Sequence, residues 1–93
     1  MAEPVKNESP IRAILRRAPV IPVYGPAGVE EAVRAGEALL RGGLPVIEVT
    51  LRTPVAIDAL AAMVKALPGA IVGAGTVLDR GQFAILYDTF MKK

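Results

Sequence analysis

LPVIEVTLRTP, residues 44–54, reads as a buried strand that changes character at its centre. Val46, Ile47, Val49 and Leu51 carry the branched, apolar side chains that suit a pleated, buried surface. Glu48, Thr50 and Arg52 interrupt them. A carboxylate in an apolar strand is costly unless it is paired or used. Side chains alternate across a strand, so Val46, Glu48, Thr50 and Arg52 share one face and Ile47, Val49 and Leu51 the other. The second face is uniformly apolar and suits a layer of helices. The first turns polar toward its C-terminal end.

Working outward, Thr53 and Pro54 have the form of a helix start. Ile57, Leu60, Ala61, Val64 and Leu67 then make an apolar stripe of helical period, closed by Pro68-Gly69. AIVGAGTVL (70–78) is a third strand candidate, with Val72, Ala74 and Thr76 on one face. On the other side of the opening stretch, Gly42-Gly43 ends a helix whose face holds Val29, Val33, Gly36 and Leu40. Glu30/Arg34 and Glu37/Arg41 are i,i+4 pairs on its outer side. Before it come a GPAG loop (25–28) and a compact strand candidate, VIPVY (20–24). Ser9 with Pro10 predicts an N-cap and first turn for a short helix striped by Ile11, Ile14 and Leu15, ending near Pro19. Residues 1–8 read as a flexible polar arm.

Strand, helix, strand, helix, strand with short loops predicts βαβ units and a parallel sheet, with the helices on one side. The tail, DRGQFAILYDTFMKK (79–93), is too close to the third strand for a crossover into another parallel one. Asp79 and Gln82 resemble a capping box, and Phe83, Leu86, Tyr87 and Phe90 fall at helical spacing. A further helix is expected there. Its composition diverges from the rest, since three of the four aromatic residues lie in it.

Composition narrows the function classes. Ninety-three residues make one small domain, and 53% hydrophobic with 22% charged residues argues against disorder. A net charge of +2 without a basic stripe gives no footprint for nucleic acid. There is no cysteine and no histidine, so disulfides, thiolate metal sites and the commonest acid–base group are all absent from these residues. No stretch reads as a signal peptide or membrane span, and a cytoplasmic protein is expected.

Ligands in parallel α/β folds bind at the C-terminal ends of the strands. Glu48, Arg52 and Thr76 stand at such ends, offering an acid–base carboxylate, a cation for an anionic substrate and an orienting hydroxyl. The plainer readings are a structural Glu48–Arg52 ion pair and a Thr76 chosen for its β-branched shape. Gly73-Ala74-Gly75 is no dinucleotide fingerprint, because GxGxxG would need glycine at Leu78.

IEVTLRTP followed by IVGAGTVL, together with VIPV, EALLRGGLP and PGA between and around them, resembles the N-terminal part of the 2-keto-3-deoxy-6-phosphogluconate aldolases, also called 4-hydroxy-2-oxoglutarate aldolases. The resemblance runs from about residue 11 to residue 78. It implies three βα units of an incomplete (β/α)8 TIM barrel with an N-terminal helix, in a family that is typically trimeric. It also implies a class I lyase needing no metal or other cofactor, which cleaves a phosphorylated 2-keto-3-deoxy sugar acid to pyruvate and glyceraldehyde 3-phosphate. By resemblance Glu48 shuttles the proton, while Arg52 and Thr76 hold the carboxylate end of the pyruvate moiety. The family's Schiff-base lysine lies on a later strand, outside these residues. Lys6, Lys65, Lys92 and Lys93 are placed in an arm, on a helix flank and at the terminus. The resemblance therefore implies a truncated aldolase, inactive alone. Two alternatives are a non-catalytic half-barrel that self-associates or complements a partner, and a related barrel that binds an anion for other chemistry.

Overall fold

Four helices and three strands alternate along the described residues, 9–18 and 20–91, of the computed structural model. The expected arm over 1–8 lies outside them, as do Pro19, Lys92 and Lys93. Helix α1 spans Pro10–Arg16, β1 Val23–Tyr24, α2 Val29–Arg41, β2 Val46–Thr50, α3 Ala56–Ala66, β3 Ile71–Gly75 and α4 Arg80–Met91. The strands form one parallel sheet in the order β1-β2-β3. No helix among the described residues is long and apolar enough to cross a membrane.

The central strand is where sequence and packing agree most closely. Ile47, Val49 and Leu51 join Ala32 of α2, Ala56, Ala59, Leu60 and Met63 of α3, and Leu67 and Leu86 in one buried cluster. Each sits on the apolar face that alternation assigns. The approach of α2 to this layer depends on Gly36, where a Cβ would lie 2.5 Å from Leu67 Cδ1 and 3.0 Å from Met63 Cε. Helix α2 ends as its Gly-Gly pair predicts. Gly43 takes φ +91°, a left-handed backbone that glycine adopts without steric cost. The amide of Leu44 then donates to Leu39 O (2.9 Å) and that of Gly43 to Leu40 O (3.1 Å), the two bonds of a Schellman stop.

Other expectations need correction. The first strand covers Val23–Tyr24 rather than all of 20–24. Pro22 has no N–H to donate, although its carbonyl accepts from the Glu48 amide at 2.9 Å. Helix α3 begins at Ala56, not at Thr53-Pro54, whose residues form a turn ahead of it. Glu37 and Arg41 do pair, at 2.7 Å, but Glu30 and Arg34 make no bridge. The stripes of α1 and α4 are only partly covered. Ile11, Leu15, Phe83 and Tyr87 are exposed, while Leu86 is buried and Phe90 packs partly against the core.

The start of α4 shows how little chemistry a helix entrance needs. Asp79 Oδ1 accepts from the Gln82 amide at 2.8 Å, and Gln82 Oε1 accepts from the Leu78 amide at 2.7 Å. The reciprocal arrangement is that of a capping box, except that the glutamine reaches one residue further back.

Candidate functional site

Register decides which groups share a face. Glu48 pairs with Gly73 and Thr50 with Gly75, while Ile47 and Val49 pair with Val72 and Ala74. The residues of β3 beside Glu48 are therefore glycines. Val72 and Ala74 pack with the helical layer instead. The face of β3 that carries Val72 and Ala74 is therefore the one opposite Glu48. The two glycines matter for space. A Cβ on Gly75 would meet Glu48 Oε2 at 2.5 Å, whereas one on Gly73 would meet nothing within 4 Å. The Glu48 carboxylate thus lies across the backbone of Gly75, next to an open patch of sheet. The face is not wholly bare, since Val46 and Thr50 on it are buried and Glu48 is half-buried.

Strand β3 stops at Thr76, which has φ +59°. A β-branched residue is rarely held in a left-handed backbone, because its Cβ crowds the peptide. Strain of this kind costs of order 1–3 kcal/mol and clusters at binding and catalytic sites. Here it ends the strand's alternation, so the period that buries Val72 and Ala74 no longer governs the half-buried Thr76. The Leu51 amide donates to Gly75 O at 3.0 Å, which keeps the exits of β2 and β3 side by side. Arg52 follows directly and is exposed.

No hydrogen bond or ion pair among the described residues engages the Glu48 carboxylate, the Arg52 guanidinium or the Thr76 hydroxyl. The structural Glu48–Arg52 ion pair, the plainer reading of these two charges, is not formed. A carboxylate held at a strand exit, with its neighbours and no internal partner, is available to a ligand.

Sequence reasoning did not find the groups that frame this corner. Thr50 Oγ1 lies 3.5 Å from Tyr24 O, and Thr53 Oγ1 donates to Pro26 O at 3.0 Å. Two hydroxyls flanking Arg52 thereby fasten the loop after β1 to the end of β2. Tyr24 fastens its far side, its OH donating to Glu31 Oε1 at 2.5 Å in the first turn of α2. Burial, with the hydrogen bond and charge of Glu31, pushes the Tyr24 phenol up to about 12. The two threonine links join residues 26 and 27 positions apart and have no local sequence signal.

Two grooves among the described residues lie elsewhere. One of about 670 Å³ runs between α3 and α4, lined by Ala61, Val64, Lys65, Pro68, Ile85, Asp88 and Thr89. A smaller one lies between β3 and α4. Neither includes Glu48, Arg52 or Thr76. Three strands cannot enclose the space that a closed barrel surrounds.

Comparison with known proteins supplies the context. The family model described as KDPG and KHG aldolase matches residues 11–89. The KHG/KDPG aldolase of Escherichia coli K12 is 51% identical over 72 residues, which are 77% of this chain and 34% of that protein. The 2-dehydro-3-deoxy-phosphogluconate aldolase of Zymomonas mobilis is 52% identical over 69 residues, 74% and 33% of the two chains. The chain thus spans about a third of the length of the curated relatives it matches. Among solved structures, the 2-keto-3-deoxy-6-phospho-gluconate aldolase of Zymomonas mobilis ATCC 29191 superposes with a TM-score of 0.77 at 46% identity, covering 85% of this chain and 38% of that one. The KDPG aldolase of Legionella pneumophila, solved with pyruvate captured as a covalent carbinolamine, gives 0.78 at 45% identity, covering 84% and 38%.

Proposed function

Because this chain belongs to the KDPG and KHG aldolase family, whose fold is the (β/α)8 barrel, we propose that its residues supply the proton-transfer and keto-acid-binding part of a Schiff-base aldolase site. In this reading Glu48 is the acid–base group. Arg52 and Thr76 hold the carboxylate of the pyruvate moiety through a guanidinium and a hydroxyl. A lysine amine condenses with the keto carbon, losing water, and the resulting iminium accepts the electron pair of the breaking carbon–carbon bond. Glu48 takes the proton from the hydroxyl that becomes the aldehyde, and returns one to the enamine carbon before pyruvate is released. The observation that carries the reading is the unpartnered Glu48 carboxylate lying over Gly75 at the exits of β2 and β3.

The lysine is the part these residues do not place. Lys65, the lysine among the described residues, stands on α3 in the helical layer and lines the outer groove with Asp88. Pyruvate with sodium borohydride would reduce any Schiff base to a permanent adduct. The 93-residue polypeptide is expected to gain none by mass spectrometry and to show no retro-aldol activity. An adduct on any of its four lysines would overturn that assignment.

A second reading, association of the chain through its open side, has its own support. Val77 and Leu78 after β3 and Phe83, Tyr87 and Met91 on α4 are exposed, with Leu78 77% exposed. Val77, Phe83, Tyr87 and Met91 also line one groove, and exposed apolar surface of this kind favours association. Light scattering after size exclusion is expected to give a mass above that of a single chain; a stable monomer would remove this reading.

A further inference from the structure

We propose that Gly75 is a positioning residue for Glu48, the missing side chain at 75 being what seats the carboxylate against β3. A methyl built on Gly75 would stand 2.5 Å from Glu48 Oε2, 2.8 Å from Cδ and 3.2 Å from Cγ. All three atoms belong to the outer part of one flexible side chain, and no backbone atom is among them. The sheet can therefore keep its register when the methyl is added, and the carboxylate is what moves. Gly73, two residues earlier on the same face and the register partner of Glu48, has no atom within 4 Å of its own Cβ position. Two glycines of one strand thus make opposite demands: Gly75 holds the acid, and Gly73 leaves the sheet open beside it.

The catalytic consequence rests on the assignment of Glu48 as the acid–base group. The positional claim does not, and no ligand enters its test, so failure of one is distinguishable from failure of the other. The test is NMR spectroscopy of the 93-residue chain and of Gly75→Ala and Gly73→Ala, read with their urea midpoints. In the wild type, cross-relaxation is expected between the Glu48 γ protons and the Gly75 α protons. Gly75→Ala is expected to keep the wild-type midpoint and backbone shifts of β1 and β2, while Glu48 changes its side-chain rotamer couplings. Gly73→Ala is expected to leave both untouched. An unchanged Glu48 rotamer in Gly75→Ala overturns the proposal, as does an equal change in Gly73→Ala or absent cross-relaxation in the wild type. Should Gly75→Ala lower the midpoint, the variant is repeated with Glu48→Ala. Restored stability supports the carboxylate contact, and unrelieved loss overturns it.

Discussion

Ile47→Ala is expected to destabilise the chain by about 2–5 kcal/mol, the range for emptying a buried isoleucine site. Ile47 is fully buried on the central strand, and its Cδ1 lies 3.8 Å from the Cβ position of Gly36. It therefore sits under the closest approach of α2, where a cavity cannot close without moving the helix. Small domains have about 5–15 kcal/mol in total, and a chain this short has little surplus. A large part of the transition should be lost. Ile85→Ala, removing a half-exposed side chain of α4, should shift stability by no more than about 0.5 kcal/mol. Urea unfolding followed by circular dichroism checks both. Equal midpoints for the two variants would mean that the apolar face of β2 is not the core.

Arg52→Met is expected to do the reverse, leaving the fold and weakening ligand binding. Arg52 is exposed and has no partner among the described residues, so its loss should change stability within about 0.5 kcal/mol. A charge-assisted hydrogen bond to a carboxylate is worth about 1.5–3 kcal/mol, and solvent at an exposed site holds the effect to the lower end. At about 1.4 kcal/mol per factor of ten, pyruvate should bind about tenfold more weakly. Methionine keeps the length of the stem while removing the charge, so a loss cannot be assigned to packing. Pyruvate titrations of the two proteins by saturation-transfer NMR, beside their urea midpoints, separate the effects. Undiminished affinity in Arg52→Met would remove Arg52 from the site.

Much of the architecture is legible because local rules and tertiary packing agree. The alternation in residues 44–54 identifies the core face of β2, and Ile47, Val49 and Leu51 are buried on it. Gly42-Gly43 marks the stop of α2, and Ser9 caps α1, its Oγ accepting from the Arg12 amide at 3.4 Å. Where local signals mislead, a long-range partner has taken the group over. Thr53-Pro54 has the form of a helix start, but the Thr53 hydroxyl is engaged by Pro26 O from another loop. Phe83 and Tyr87 have the spacing of a buried stripe, yet too few strands stand beside α4 to cover them.

The candidate site divides in the same way. Glu48 is conspicuous because a carboxylate is out of place in an apolar strand. Alternation is no guide to the face of Thr76, which follows the last strand residue in a left-handed backbone that threonine rarely takes. Glycines two apart at 73 and 75 were a usable signal. Their meaning depends on the register that sets Gly73 against Glu48, which one strand read by itself does not reveal.

In the proposed function the exits of β2 and β3 form a seat for a keto-acid carboxylate. Its most direct measurement is a titration of the ¹⁵N-labelled 93-residue chain with pyruvate, followed by amide shifts. Saturable shifts centred on Leu51, Arg52, Gly75 and Thr76 are the predicted result. A protein whose amides there stay still, or which responds only along the groove between α3 and α4, would contradict it.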